Sequence, residues 1–415
     1  MTTGTATDVE HRSLTGSSGI LNQVALGYSA FIDRNRSVVA TRLTVFPIRP
    51  DAVLDAGQLL AAVGEVWPAS GGRVALNIAS ESLLQDLMRA QPSANLMVEV
   101  PAFMAADPTN TEALRTLHGN GSTLLLKGRP LTELPREVLP CFKHSIIDVG
   151  EDRRLVDPLA PAGVVRNIAY VQAGVRTVVE MEASFARGAH AVLGWPIDDV
   201  VTGAGGRKGS GVGAPGMQVI VELIHRVDAE EPIEKLEATL KRDPPLAFKL
   251  LRYINSPAFG LRVEISSFRH AIMMLGYQRL KRWLALLLAT ASKDVNLKPV
   301  MFAAVRRGLL MEELARTSGD EEMRNEMFIC GVFSLLDRMF QQPFEGLLAT
   351  IPVPERVRQT LVDKTGPYQP YMDVVQAAES ESLYDFREAA DRLMMGVGEI
   401  NRAQLRAAMA AIELE

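Results

Sequence analysis

The sequence predicts a multi-domain protein in which an α/β domain precedes an all-α domain, and three observations lead to this fold class. Short β-branched runs alternate with helical stretches up to about residue 201, an order typical of a largely parallel sheet with flanking helices. Seven of the fifteen residues 202–216 are glycine, which is typical of a flexible linker. From Met217 onward apolar residues recur at helical spacing.

Seven segments of the first domain have the composition of strands. They are Val24–Asp33, Val38–Phe46, Arg73–Ile78, Leu96–Val100, Thr123–Leu126, Ser145–Val149 and Arg176–Glu182. Four segments between them have helical patterns: Ala52–Val66, Ser80–Arg89, Thr111–His118 and Asn167–Ala173. We therefore predict boundaries of 1–19 for a disordered tail, 20–201 for the α/β domain, 202–216 for the linker and 217–415 for the helical domain.

The stretch Asp243–Trp283 shows the helical pattern of the second domain most clearly. Leu246, Leu250 and Ile254 repeat at helical spacing. Pro257 then ends this helix, because proline lacks an N–H and biases the preceding residue away from the α conformation. A second amphipathic helix leads to Trp283.

Composition excludes several classes of protein. The formal net charge of −5 gives no electrostatic basis for non-specific nucleic-acid binding. The two cysteines, Cys141 and Cys330, form neither a disulfide framework nor a CxxC site, and we expect buried thiols. The first 19 residues carry no apolar signal region, and the apolar run Trp283–Ala291 is shorter than the ~20 residues that span a bilayer. We expect a cytoplasmic protein.

The glycine run could instead be a phosphate-binding loop, but its order of residues argues against this. A P-loop requires Gly-Lys followed by Ser or Thr. Here Lys208 is followed by Gly209 and Ser210, and no apolar strand leads directly into the run. The linker interpretation is therefore favoured.

The segment from Leu21 to Pro196 resembles an EAL domain, the fold of cyclic-di-GMP phosphodiesterases. The resemblance depends on five motifs in order: FIDRNRSVVATRLTVF, RVALNIASESLL, LMVEVP, TVVEMEAS and AVLGWPI. It implies a TIM-type βα barrel, which we expect to be incomplete because the segment is shorter than an active member of the family.

The same resemblance assigns the family's site positions, where carboxylate and amide oxygens hold two divalent cations that activate water. The signature glutamate falls on Arg42 and the paired aspartates fall near Lys127, so two ligands are replaced by cations. Asn77, Glu99 and Glu180 are retained, Asp148 survives on the strand of the catalytic lysine, and the terminal glutamine falls on Leu193. We expect no metal, no cofactor and no hydrolysis.

Two interpretations of these residues remain open. Asn77, Glu99 and Glu180 could be inherited polar residues that hydrogen-bond to their neighbours. Arg42 and Lys127 could attract a phosphate ligand without cleaving it, because cationic side chains bind phosphate well.

The segment from Met217 to Ile412 resembles an HDOD domain, a non-catalytic relative of HD-type metal phosphohydrolases. Its second characteristic block is Ile329–Tyr368. In catalytic relatives a helix reading GLLHDIG carries the metal-binding His-Asp dyad. Those two positions fall on Ser334 and Leu335 here, and the only histidines of the domain, His225 and His270, are expected to be ordinary helix residues.

One basic cluster of this domain has a second interpretation. Arg279, Lys281 and Arg282 lie beside Tyr277 and Trp283, a mixture that nucleotide or nucleic-acid contact would require. Three charges on one helical turn are also typical of a solvated face, which we favour.

Together the resemblances imply a non-catalytic bacterial signalling protein that acts through protein–protein interaction in cyclic-di-GMP-related regulation of motility, biofilm or virulence. The expected partners are other signalling proteins, with neither membrane nor nucleic acid among them. The alternatives are an active cyclic-di-GMP phosphodiesterase and a cyclic-di-GMP sensor without turnover.

Overall fold

The computed structural model describes residues 19–68, 71–152, 168–199, 215–255, 267–292 and 294–414. The chain divides into two compact units. The first unit contains the residues up to Pro196 together with Gln376–Leu405, and the second contains Ile197–Val375 together with Arg406–Glu415. Most of the predicted tail (1–18) and of the predicted linker (202–214) lies outside the described residues, as does Pro257.

The first unit is built on a closed barrel of eight strands in sequence order. The strands are β1 Val24–Ile32, β2 Val38–Pro47, β3 Arg73–Ile78, β4 Leu96–Pro101, β5 Thr123–Lys127, β6 Phe142–Asp148, β7 Ala169–Val175 and β8 Ala191–Gly194. β1 pairs antiparallel with β2 and β8, and the remaining neighbours are parallel. The predicted α/β barrel is confirmed, but the expectation of an incomplete barrel is wrong. Two residue pairs, Phe31↔Leu193 and Ile32↔Val192, close it.

Side chains alternate along each strand, so the barrel interior is arranged in layers. An apolar layer includes Ala75, Met97, Leu125 and Ile146 of β3 to β6. Two residues further along each of these strands, the inward positions are polar. The barrel therefore has an apolar interior and a polar mouth at the carboxyl ends of its strands.

Among the described residues up to Pro196, five α-helices accompany the strands: α1 Ala56–Val66, α2 Glu81–Arg89, α3 Ala102–Ala106, α4 Thr111–Gly119 and α5 Val178–Ala186. Two predictions in this region are wrong. The segment predicted as helix, Asn167–Ala173, overlaps β7, and the segment predicted as strand, Arg176–Glu182, overlaps α5. The physical reason is a capping box, in which Thr177 and Glu180 each accept a hydrogen bond from the other's backbone N–H and so begin a helix.

The second half of the chain is helical, as predicted. Its helices are α6 Pro215–Asp228, α7 Ile233–Leu240, α8 Pro244–Ile254, α9 Phe268–Ala289, α10 Lys298–Leu314, α11 Glu321–Phe333, α12 Leu336–Phe340, α13 Phe344–Leu348, α14 Glu355–Arg358, α15 Gln369–Ser380, α16 Leu383–Leu393 and α17 Val397–Glu413. In the second unit α10 and α11 pack closely because two glycines meet. A Cβ on Gly331 would lie 2.5 Å from the carbonyl oxygen of Arg307, and one on Gly308 would lie 2.4 Å from Val332.

The C-terminal region corrects the predicted domain boundary, because residues Gln376–Leu405 belong to the barrel unit rather than to one helical domain over 217–415. Asn401 is fully buried and makes three hydrogen bonds to β1 and the segment before it. Its Nδ2 donates to the carbonyl oxygens of Leu21 and Val24 at 2.7 Å, and its Oδ1 accepts from the N–H of Leu26 at 3.1 Å. All nine residues of β1 are buried.

Both cysteines are buried free thiols, as predicted. None of the helices in the described part of the chain is both long enough and apolar enough to cross a bilayer.

Candidate functional site

The polar mouth of the barrel forms an open cleft of about 1570 Å³. Carboxyl ends of barrel strands are where (βα)-barrel enzymes build their active sites. Five of the residues identified from the sequence line this cleft or lie at its base: Arg42, Asn77, Glu99, Lys127 and Asp148. They come from β2, β3, β4, β5 and β6 in that order, so the structure brings them together as the resemblance implies.

Arg42 forms a buried ion pair with Glu99 at the centre of this group. The guanidinium Nε and Nη2 each donate to one oxygen of the Glu99 carboxylate at 2.8 Å. The Glu99 side chain has no solvent exposure and that of Arg42 is 8% exposed. Burial alone would lower the pKa of Arg42, but the Glu99 and Glu381 carboxylates outweigh it and raise that pKa. Both oxygens of Glu99 therefore face a fixed cation.

Glu381 is a second carboxylate that binds Arg42, and no motif in the sequence indicates it. It lies between α15 and α16, more than 330 residues away in sequence, and accepts from Arg42 Nη1 at 3.0 Å. Its other oxygen accepts from the hydroxyls of Ser29 and Thr44, each at 2.9 Å. Glu381 adopts a left-handed φ of 53°, which is strained for a residue other than glycine, so these hydrogen bonds help to hold that conformation.

Lys127 and Asn77 form a second pair beside the first. The ammonium group of Lys127 donates to Asn77 Oδ1 at 2.9 Å, and Asn77 Nδ2 donates to the Thr44 hydroxyl at 3.1 Å. Burial, and then the nearby charge of Arg42, lower the pKa of Lys127. The amide oxygen that could face a metal ion therefore accepts from an ammonium group instead.

Asp148 lies further along the cleft wall, where its Oδ1 accepts from the N–H of Gly150 at 2.8 Å. Gly174 makes room for it: a Cβ at this position would lie 2.6 Å from Asp148 Oδ2, and its φ of 77° also favours glycine.

Two predicted site residues lie elsewhere. Glu180 caps α5, accepting from the N–H groups of Arg176 and Thr177, and is not among the residues that line the cleft. Leu193 lies in the apolar interior layer of β8.

This donor set does not fit a divalent cation. Metal ions of the hard class require oxygens that are free to coordinate. The oxygens of Glu99 and Asn77 are directed at Arg42 and Lys127, and a cation between them would meet two positive charges at short range. Within the described ranges, no three His, Cys, Asp or Glu side chains are grouped so that they could hold a metal ion.

The HD positions of the second unit show a similar replacement. Ser334 ends α11, donates its hydroxyl to the carbonyl of Gly331 at 2.7 Å and accepts from Arg307 Nη1 at 3.1 Å. Leu335 is buried. An arginine side chain therefore contacts one of the two positions that the resemblance assigns to the dyad.

The histidines and the basic cluster of the second unit occupy structural positions. His225 Nε2 lies 2.9 Å from the carbonyl oxygen of Thr350, and His270 lies in the first turn of α9. The three cations of the cluster each form an ion pair, with the partners Glu321 for Arg279, Asp228 for Lys281 and Glu312 for Arg282. Trp283 is only 3% exposed, so its ring is not available for stacking on a base.

Comparison with known proteins finds one matching domain family and two curated relatives. The HDOD domain family matches residues 215–340, which confirms that resemblance. The Bacillus subtilis (strain 168) protein YuxH is 28% identical over 179 residues, covering 41% of this chain and 43% of YuxH. The cyclic di-GMP phosphodiesterase CdgJ of Vibrio cholerae is 26% identical over 167 residues, covering 40% of this chain and 39% of CdgJ.

These matches have limited extent, since they span less than half the length of either curated relative. Among solved structures, a standalone EAL protein from Vibrio cholerae O395 in its c-di-GMP-bound form shares 13% identity with a TM-score of 0.30. That match covers 41% of this chain and 89% of the solved one.

Proposed function

We propose that this chain, which joins a closed EAL-like barrel to an HDOD domain, is a non-catalytic signalling protein. It acts through protein–protein contacts in cyclic-di-GMP-related regulation. The observation that carries this proposal is the buried Arg42–Glu99 pair at the mouth of the barrel.

The pair bears on function because hydrolysis at such a site depends on two metal ions that clamp the phosphate and activate water. Arg42 stands where the family resemblance expects a ligating carboxylate, and it engages both oxygens of Glu99. A metal ion on Glu99 would separate the Arg42 guanidinium from its fully buried partner and place two cations side by side in a largely desolvated site, which costs several kcal/mol. The site therefore disfavours binding of the metal ions on which hydrolysis depends.

The rim of the cleft supports a role in binding another protein. Phe103 and Leu131 line the cleft and are 65% and 98% exposed. Large apolar side chains beside a polar cleft are typical of interaction sites. The partner is a second signalling protein that places apolar side chains against this rim.

A sensor that binds cyclic-di-GMP without turnover is the second candidate, and one observation favours it. Lys127 and Arg129 both line the open cleft, although Arg129 also lies 3.6 Å from the Asp152 carboxylate. Both are groups that bind phosphate. An active phosphodiesterase, the activity named for CdgJ, is the third candidate and is disfavoured by the engagement of Glu99 and Asn77.

Calorimetric titration of the full chain separates these candidates. We expect no heat of binding from Mn²⁺ alone and none from cyclic-di-GMP with or without Mn²⁺. Metal-independent binding that the Lys127→Gln variant abolishes would establish the sensor in place of the scaffold. Binding that requires Mn²⁺ would contradict the proposal.

The partner contact is tested by affinity capture with the full chain as bait. A protein retained by the wild type should be lost from the Phe103→Ser/Leu131→Ser double variant. Val53→Ser is the matched control, because Val53 is 97% exposed in the same unit but does not line the cleft. Equal capture by all three baits would contradict a partner site at this rim.

A further inference from the structure

The second unit contains a cleft of about 430 Å³ in which arginine predominates. It lies among α9, α10, α11 and α17. Its charged lining residues are Arg279, Arg282, Arg316, Arg324, Arg406, Glu312, Glu313 and Glu321. Five arginines against three glutamates leave a surplus of two positive charges.

The surplus positive charge lies around two neighbouring carboxylates, those of Glu312 and Glu313. Glu312 accepts from Arg282 at 2.5 and 2.6 Å and from Arg324 at 3.4 Å. Glu313 accepts from Nε of Arg406 at 2.6 Å and lies 3.5 Å from Arg316 Nη1. Four guanidinium groups therefore share two carboxylates, and within each pair one arginine is held much more loosely than the other.

Several donors of the loosely held arginines remain unused. Arg324 Nε is buried and has no hydrogen-bond partner among the residues that the structure describes. Arg316 is 57% exposed, and its long contact to Glu313 engages only Nη1. The amide of Asn325 also lines the cleft. A buried N–H without a partner destabilises the fold, and an anion at this position would accept a hydrogen bond from it.

The floor of the cleft is apolar and strengthens electrostatic attraction within it. Trp283 and Leu309 line it and are 3% and 5% exposed. A concave site with low-dielectric walls focuses the field of its charges. The two surplus positive charges therefore attract a bound anion more strongly than they would on an open surface.

We propose that this cleft, here called the arginine cleft, binds a phosphate monoester dianion. Two surplus charges match a dianion, and the guanidinium fork matches phosphate oxygens in geometry. The phosphate could belong to a nucleotide or to a phosphorylated side chain, which present the same chemistry. This site is in the HDOD-containing unit, so it is independent of the barrel mouth and of the function proposed for it.

Calorimetry of the full chain with inorganic phosphate at low ionic strength tests the site. We expect saturable binding that weakens as NaCl is raised, because the contacts are ionic. Arg316→Gln should weaken it at least tenfold, whereas Arg358→Gln, a 46% exposed arginine outside the arginine cleft, should not. Lys127→Gln at the barrel mouth should also leave it unchanged.

A second variant introduces a negatively charged side chain into the arginine cleft, where it would take the place of the bound phosphate. Asn325→Glu would supply a carboxylate to the loosely held arginines, so it should abolish phosphate binding without lowering the unfolding temperature. A nucleoside monophosphate and a phosphoserine peptide, titrated separately, distinguish the two sources of phosphate. No saturable binding of phosphate or of either ligand, or equal weakening by Arg316→Gln and Arg358→Gln, would overturn the proposal and leave an ion-pair network that only joins helices.

Discussion

Removal of the Arg42 guanidinium is the perturbation whose effect follows most directly from the barrel mouth. In an Arg42→Met variant the Glu99 carboxylate stays where its side chain has no solvent exposure, with its main partner gone. Removing one member of a buried ion pair costs about 3–5 kcal/mol. The pair of Arg42 with the 23% exposed Glu381 side chain adds at most about 1 kcal/mol.

Tryptophan fluorescence provides an assay confined to the barrel unit. Trp67 and Trp195 are buried there, and the chain has one further tryptophan, Trp283. In a Trp283→Phe background, denaturant unfolding followed by fluorescence reports on the barrel. Arg42→Met should lower its free energy of unfolding by about 4 kcal/mol, or its unfolding temperature by about 10 °C for a unit of this size.

Two companion variants show whether the unpaired charge is the cause. An Arg42→Met/Glu99→Met variant replaces the pair by apolar side chains, so it should recover most of the loss. Arg115→Met removes an exposed pair with Glu137 and should cost less than 1 kcal/mol. The reasoning is refuted if Arg42→Met costs no more than Arg115→Met, or if the double variant is no more stable than Arg42→Met.

Three further variants test other parts of the structure. Asn401→Ala removes three buried hydrogen bonds, so it should lower barrel stability by about 3 kcal/mol. The control Gln85→Ala, at a partly exposed position of the same unit, should not; equal losses would contradict the role of the C-terminal segment. Burial, and then the stacked His190, lower the pKa of His144 from 6.5 to about 4; the unfolded chain then takes up the proton first, so stability should fall between pH 6.5 and 4, and less steeply in His144→Gln. If His144→Gln leaves the dependence of stability on pH unchanged, the lowered pKa of His144 is not the cause of the fall. Arg42→Glu adds a carboxylate beside Glu99, so Mn²⁺ should raise the unfolding temperature of this variant and not of the wild type. If Mn²⁺ does not raise it, the assignment of Arg42 to a metal-ligand position is contradicted.

The strands of the barrel could be predicted because their signal is local. β1 to β5 lie within one residue of the predicted segments at either end, since their β-branched residues and burial are encoded within each segment. The reversal of β7 and α5 arose because the segment after β7 contains strand-forming valines. The decisive signal, Thr177 followed by Glu180 at capping-box spacing, was present in the sequence.

The partners of the site residues could not be predicted. Arg42 could be assigned to a metal position, but only the fold shows that both oxygens of Glu99 engage it. Glu381 and Asn401 reach β1 or β2 across more than 330 residues of sequence. Tertiary packing alone determines such contacts, and no local pattern of residues encodes them.

Incubation of the full chain with cyclic-di-GMP and Mn²⁺ or Mg²⁺, followed by chromatography, tests the central claim most directly. An active cyclic-di-GMP phosphodiesterase assayed in parallel is the positive control. Because Arg42 and Lys127 engage the oxygens that would hold the metals, we predict that no linear dinucleotide forms. Formation of linear product at a rate proportional to protein concentration, and its loss in a Glu99→Gln variant, would contradict the claim.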